Sequence, residues 1–469
     1  MKLSKMALAA AIYCAVFAGT ASAQGLRQPS SIEQTNYTHS YYAQAEGQPS
    51  PSDVPPPAEN EIKSEGMEGD VLPTDEEDCP RWFLFNQERC NGIKAHGWLN
   101  GGYFANSHNT TSKYNGPTTF ADRSDGQINQ VYGILEKPLS GDECSWDIGG
   151  RLDVLYGSDW IYNTEQGWET TTGGDLLSKW NSNPYYGLVT TQMYAELGRG
   201  DLSVKVGRFY TPIGYEVVTA PNNFFATHAY TMQYGEPFSH SGALAAYKYS
   251  DNWTFLGGAV NGWDRFDGVP RADRIAGLGG AIYTPDHGKY TITLTGITGT
   301  EPTVGSPVDA FSTRNLYSLV FSYNVTDKLN YVFQHDNGWQ QNALNRGQDA
   351  EWYGINQYLF YTINDCWKAG IRAEWFRDDD GVRVAGVRPG NLATGDAGNA
   401  TTGALVGATP GGYAGNFYEV SAGLNWTPHA NLIVRPEVRY DWYDGVGNPF
   451  GDSTSQAQWV GGFDAIVLW

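Results

Sequence analysis

The sequence predicts an all-β fold: a transmembrane, antiparallel, up-and-down β-barrel of about 16 strands, preceded by a disordered N-terminal segment. Three observations point there. After the first 23 residues no stretch approaches the roughly 20 apolar residues that a membrane helix needs. The candidate strands carry two unlike faces. The connections between them alternate between tight turns and long loops, as in a barrel with short periplasmic ends and longer outer ones.

Met1–Ala23 reads as a secretory signal. Lys2 and Lys5 form its basic end, Met6–Ala18 a short apolar run, and Ala21-Ser22-Ala23 a small-residue cleavage pattern. Tyr13 before Cys14 argues against a lipoprotein site. Residues 24–80 hold 12 acidic and 2 basic side chains, Pro55-Pro56-Pro57 and the run Asp75-Glu76-Glu77-Asp78. They lack apolar periodicity, so burial cannot offset chain entropy, and the stretch reads as a disordered periplasmic segment. The barrel is assigned to residues 81–469.

Composition agrees. Only 17% of residues are charged while 14% are aromatic, with 57 Gly and 30 Tyr, which suits an exported β protein. The formal charge is −21; the signal contributes +2 and residues 24–80 contribute −10, leaving −13 for the barrel. Nucleic acid is excluded as a partner, because it requires basic surface.

Candidate strands fall at 92–107, 126–139, 146–157, 186–198, 202–214, 238–250, 252–264, 274–284, 288–301, 313–325, 328–341, 350–363, 366–377, 415–427, 431–444 and 456–469. Tight turns such as Arg199-Gly200-Asp201, Thr326-Asp327 and Asn364-Asp365 alternate with long loops at 108–125, 158–185, 215–237, 265–273, 302–312, 342–349, 378–414 and 445–455. A soluble sandwich has no reason to sort its loops in this way. The sorting also places both termini on the periplasmic side.

Facing is clearest near the C-terminus. Leu432, Val434, Pro436, Val438, Tyr440 and Trp442 share one side of a strand, and Arg435, Glu437, Arg439 and Asp441 the other. Trp459, Gly461, Phe463, Ala465, Val467 and Trp469 repeat the apolar row. Tyr418 to Trp426, Trp367 to Trp375 and Tyr317 to Val325 do the same, with aromatics at the margins where interfacial girdles belong. Residues 274–284 are Gly-rich and show no clear sides. Pro436 lacks a donor that a closed barrel needs, so a local bulge is expected there.

Three stretches carry a family resemblance. Cys90-Asn91-Gly92-Ile93-Lys94-Ala95-His96-Gly97-Trp98-Leu99-Asn100-Gly101-Gly102-Tyr103 resembles the first strand of the OmpL-like β-barrel porins. Val206-Gly207-Arg208-Phe209-Tyr210-Thr211-Pro212-Ile213-Gly214-Tyr215-Glu216 is similar to that family's mid-barrel motif. Gly235-Glu236-Pro237-Phe238 followed by Gly242–Tyr247 is similar to its next strand entry. The resemblance covers roughly residues 90–469. It implies a porin-type channel of the outer membrane, with lipid around it, small hydrophilic solutes passing through it and no catalytic residues. The acidic prelude departs from a minimal porin.

About 16 strands enclose an aqueous channel rather than a core filled by side chains. The third long loop, 215–237, carries Glu216, His228 and Glu236 beside Phe224 and Phe225. Those two rings are too apolar for a fully wet loop, so insertion into the barrel competes with packing at the surface. Inward-facing Lys205, Arg372, Glu374, Arg435, Glu437, Arg439 and Asp441 complete the candidate pore-lining and constriction set. Basic wall opposite acidic loop sets up a transverse field that favours hydrated, dipolar solutes; mutual ion pairing that only holds the wall is the alternative. The function read from this is passive diffusion with weak cation preference. The alternatives are a substrate-specific sugar or anion channel and a structural or adhesion barrel with a blocked lumen. A homotrimer is among the assemblies allowed.

No Gly-x-Ser-x-Gly, His-Glu-x-x-His or P-loop pattern occurs, and no cofactor or metal is assigned. In Ser239-His240-Ser241 the histidine points to the face opposite both serines, which speaks against a hydrolase constellation. Asp378-Asp379-Asp380-Gly381 resembles part of a calcium loop, but the continuation Val382-Arg383 lacks further acids. Cys79, Cys90, Cys144 and Cys366 remain after signal removal, with three full pairings open. Cys144 and Cys366 lie on turns across the barrel and are not expected to pair with each other.

Overall fold

Sixteen strands form one closed antiparallel barrel, each hydrogen-bonded to its sequence neighbours, with the first closing on the last. The computed structural model describes residues 92–108, 115, 117–118, 125–140, 145–165, 167–169, 185–266, 275–302, 311–343, 347–384 and 413–469. The first eight strands are β1 (Lys94–Asn106), β2 (Asp125–Lys137), β3 (Asp147–Gly157), β4 (Gly187–Arg199), β5 (Leu202–Tyr210), β6 (Ser239–Lys248), β7 (Trp253–Val260) and β8 (Ala276–Tyr283). The rest are β9 (Tyr290–Pro302), β10 (Phe311–Asn324), β11 (Leu329–Gln340), β12 (Ala350–Asn364), β13 (Trp367–Asp378), β14 (Gly415–His429), β15 (Leu432–Gly445) and β16 (Ala457–Leu468). Residues 24–80, together with Cys79, Cys90 and Cys144, lie outside the described residues. Cys366 is exposed and free.

Closure is made by the two ends of the chain. Register between β1 and β16 runs from Trp98 opposite Leu468 to Asn106 opposite Val460. Gly97 and Trp469 then exchange both backbone bonds at 2.9 Å, so the ladder continues to the last residue. A closed ladder leaves no strand edge and satisfies every strand from both sides, the condition for crossing lipid without helices.

The period-two pattern resolves into an outside and an inside. Phe255, Leu294, Ile371, Val438 and Phe463 lie on the exposed row, while Arg372, Glu374, Arg435, Glu437, Arg439 and Asp441 are buried on the other. At the short-turn end the outer row carries Trp253 against Tyr283 and Trp367 stacked on Trp426. At the long-loop end it carries Tyr418 stacked on Trp442 and Tyr440 against Trp459. These are the two girdles expected at the lipid–water boundaries. Strand β1 begins, and β16 ends, at the short-turn end.

Some strand details differ from the sequence pattern. The expected strand 202–214 stops at Tyr210, and 252–264 stops at Val260. Gly214 (φ +91°), Gly262 (φ +122°) and Asp264 (φ +49°) adopt left-handed backbone that cannot continue a ladder. The Gly-rich stretch forms β8 in plain register with β7 and β9, with Leu278 and Ile282 buried inward. Its sides were hidden because glycines occupy much of the outer row. Pro436 sits opposite Phe463 of β16 without a bulge. On its other side the pairing with β14 lapses between Gly423 and Trp426, in unchanged register, and the only shift on that ladder falls between Trp426 and His429. A gap in pairing, rather than a bulge, accommodates the missing donor.

The interior has two characters. Across β11–β16 the inward row is rich in charge. Across β6–β10 it holds Leu244, Leu256, Leu278, Ile282, Ile297, Leu316 and Val320, all buried.

Candidate functional site: the loop inserted in the barrel

Residues 211–238 leave β5 at the long-loop end and pack inside the barrel on the inward row of β11–β16. Phe224 and Phe225 anchor them, at 4% and 3% exposure. Phe224 lies 4.9 Å from Phe360 between ring centroids, over Gly370 of β13. A Cβ on Gly370 would stand 2.5 Å from Phe224 Cε1, so the seat exists only because residue 370 has no side chain. The Arg372 guanidinium covers the Phe225 ring, 4.9 Å from its centroid.

A segment largely without ladder or helix brings its backbone polar groups into the interior unpaired, and these must find partners. The charged wall supplies them. Arg435 Nη1 donates to the carbonyls of Ala220 (2.8 Å), Asn223 (2.7 Å) and Phe225 (3.3 Å). Arg372 Nη1 donates to Thr227 O (2.8 Å) and Arg439 Nη1 to His228 O (2.6 Å). In the opposite sense, Glu437 accepts from the Ala226 and Thr227 N–H groups and the Thr227 hydroxyl. Glu374 accepts from the Tyr230 and Thr231 N–H groups, both at 2.6 Å, and Asp441 from the Tyr230 hydroxyl at 2.8 Å. A short π-turn, Thr231–Gly235, carries the loop back towards β6.

Ion pairs knit loop and wall together. Arg372 binds Glu216 of the loop at 2.6 Å and Glu419 of β14. Arg435 binds Asp464 at 2.5 Å, and Arg439 binds Asp441 at 2.7 Å. His228 Nδ1 lies 3.4 Å from Glu216 Oε2. Burial raises the cost of charge on Glu216, but Arg372, His228 and the Ala229 N–H outweigh it and hold the carboxyl at about 2. Glu236 is different. Burial, then the neighbouring Asp336 carboxylate, push it well above the usual carboxylate range. Gln334 Nε2 bridges the two, donating to Glu236 at 2.5 Å and Asp336 at 2.9 Å.

Of the ten residues singled out in the sequence, eight meet in this network: Glu216, His228, Arg372, Glu374, Arg435, Glu437, Arg439 and Asp441. Glu236, also of the loop, stands beside it, against Gln334 of β11. Lys205 does not join; it lies across from Glu196 on β4, 5.0 Å from the Tyr194 ring centroid. None of the ten is more than 7% exposed. The eight form a bonded network rather than an open array of charges. Sequence reasoning passed over Asp464, Thr227 and Tyr230. The alternation of β16 places Asp464 on the inward side, while nothing in the sequence marks Thr227 as the residue that Arg372 and Glu437 share.

The Ser239-His240-Ser241 stretch divides as its alternation requires. Both serines donate to Glu165, whereas His240 bonds Gly262 O and Thr211 Oγ1. Asp378 accepts from the N–H groups of Val382, Arg383 and Val384, so it caps its own turn. Among the described residues no His, Cys, Asp and Glu cluster could hold a metal.

No curated protein matches the chain in sequence. In structure it is similar to the outer membrane channel DcaP of Acinetobacter baumannii, with a TM-score of 0.51 and 10% identity over 80% of this chain and 97% of that one. It is similar also to an anion-selective porin from Comamonas acidovorans, with a TM-score of 0.51 and 8% identity over 80% of this chain and 99% of that one. At such identities the likeness shows the fold alone. The family model described as "Putative beta-barrel porin-2, OmpL-like" matches residues 92–469, and the chain belongs to that family of outer-membrane porin-type barrels.

Proposed function

We propose that the barrel is a channel for passive diffusion of small hydrophilic solutes, narrowed by residues 211–238. The observation that carries this is the inserted loop itself, bonded through its own backbone to a charged wall within a closed 16-strand barrel. A loop fixed in this way reduces the lumen without depending on a ligand. Its position also supports reading the wall and loop residues as the constriction. Three arginines there, Arg372, Arg435 and Arg439, face six carboxylates, those of Glu216, Glu374, Glu419, Glu437, Asp441 and Asp464. That excess supports weak cation preference, although Glu216 is offset by Arg372 and does not govern it alone. In this reading residues 1–23 direct export, the termini lie in the periplasm and 24–80 form an acidic, Pro-rich periplasmic segment.

A second reading has one observation in its favour. The inward face of β6–β10 carries a buried aliphatic group, Leu244, Leu256, Leu278, Ile282, Ile297, Leu316 and Val320, among buried Thr and Ser side chains, and that group suits a packed wall more than a wet one. A blocked barrel with a structural or adhesive role fits that face. Planar-bilayer recording of the purified, folded chain separates the two. Stepwise ion currents are the expected result, and silence from protein that shows heat-modifiable gel migration supports the blocked barrel.

A further inference from the structure

At the long-loop end of the lumen, above Gly235, lies a second charged cluster that the constriction does not use. Its centre is Trp263, buried at 1% exposure. The Arg314 guanidinium carbon stands 5.1 Å from the Trp263 ring centroid, and that of Arg383 stands 4.9 Å from it. Arg383 also covers Trp352 at 4.7 Å. Arg265 is 2% exposed, with Nη1 3.7 Å from Glu301 Oε2. The backbone N–H of Trp263 in turn donates to Glu301 Oε1 at 2.9 Å.

The charges here do not balance by contact. Arg314 is 2% exposed, yet its hydrogen-bond partner is the neutral amide of Gln340, which accepts from Nε at 2.9 Å and Nη2 at 2.7 Å. Arg314 Nη1, Arg265 Nε and Nη1, and Trp263 Nε1 have no hydrogen-bond partner. All four are donors. Glu301 is the nearest acid, and its Oε2, 3.7 Å from Arg265 Nη1, also lacks a hydrogen-bond partner, so one carboxylate faces the three guanidiniums of Arg265, Arg314 and Arg383. The other two acids are engaged: Asp264 accepts from the Phe238 and Ser239 N–H groups, and Asp378 from three N–H groups of its own turn. Burial pushes the Asp264 carboxyl up to about 7, which weakens it further as a counter-charge. A guanidinium taken out of water without an anion is strongly disfavoured, and leaving its N–H groups unbonded adds to that cost.

We propose that Arg265, Arg314 and the Trp263 indole N–H form a binding site for a small oxyanion, a phosphate or carboxylate group, at the outer end of the lumen. An oxyanion supplies several acceptor lone pairs at once and matches the planar fork of a guanidinium, which a spherical halide does not. Arg383 closes the site from the Trp352 side and adds positive charge. Binding is independent of conduction, so the site stands or falls separately from the channel reading.

The test is calorimetric titration of the folded, full-length chain in detergent with sodium phosphate, against sodium chloride at matched ionic strength. One saturable phosphate site without a chloride equivalent is the expected result. Arg314→Gln and Arg265→Gln should each weaken phosphate by about tenfold or more, since each removes charged donors from the site. Two variants are used so that one can decide if the other fails to show heat-modifiable migration. Absence of a saturable phosphate response in the unaltered chain overturns the proposal. So does an equal response to chloride, or unchanged affinity in a folded variant of either kind.

Discussion

Arg372 shows how one residue holds two parts of the molecule. It reaches from β13 to Glu216 and Thr227 of the loop and to Glu419 and Ser421 of β14. Removing one partner of such a buried pair strands the others, at a cost of about 3–5 kcal/mol. Arg372→Gln should therefore make 211–238 readily cleaved by protease while the strands stay protected. The two loop carboxylates respond oppositely to pH. Glu216 sits at about 2, below its usual 4.5, so its contribution is present above 4.5 and fades as the pH falls towards 2. Glu236 is raised by burial and by Asp336, so its protonated form is favoured and its hold weakens as the pH climbs through that raised value. The loop is held best between these limits. Protease sensitivity should rise on acidification below about 4.5, and Glu216→Gln should abolish that rise while leaving the alkaline limb.

At the scale of elements, the inserted loop has one apolar anchor and many polar ties. Phe→Ala changes in packed cores cost about 3–5 kcal/mol. Phe224→Ala with Phe225→Ala should thus free the loop and raise single-channel conductance, with the barrel intact on a gel because the strand ladder does not involve those rings. A conductance equal to that of the unaltered chain would show that the ties alone suffice. The strands were legible because lipid outside and polar groups inside impose a period of two, and Leu432–Trp442 could hardly be read otherwise. The loop was half legible. Phe224 and Phe225 signalled burial, but the wall that receives them depends on Gly370, a residue whose meaning lies in the space it leaves. Strand ends at Tyr210 and Val260 were hidden because the backbone reversals at Gly214, Gly262 and Asp264 follow from tertiary contacts. The pairing gap at Pro436 likewise depends on which neighbour its nitrogen faces.

For the whole molecule the question is which charges an ion meets on its way through. The network around the loop carries more carboxylates than guanidiniums, yet pairing cancels much of the field: Glu216 and Glu419 share Arg372, Asp464 holds Arg435 and Asp441 holds Arg439. Glu374 and Glu437 differ, because their main ties are to the N–H groups of residues 226, 227, 230 and 231 and the Thr227 and Thr231 hydroxyls. Those donors stabilise a carboxylate without cancelling its charge. In a narrow, poorly hydrated passage nearby charge is weighted most, because water and salt screen least there. These two residues, rather than the loop's own acids, should then set the cation preference. Glu374→Gln combined with Glu437→Gln keeps an acceptor at each position and removes both carboxyl groups. Reversal potentials in a salt gradient should move from weak cation preference in the unaltered chain to neutrality or anion preference in the pair. Glu216→Gln, by contrast, leaves Arg372 with one carboxylate fewer and should shift selectivity only slightly. If Glu216→Gln moved the potential as far as the double change does, the ion path would run along the loop and not along the β13–β15 wall.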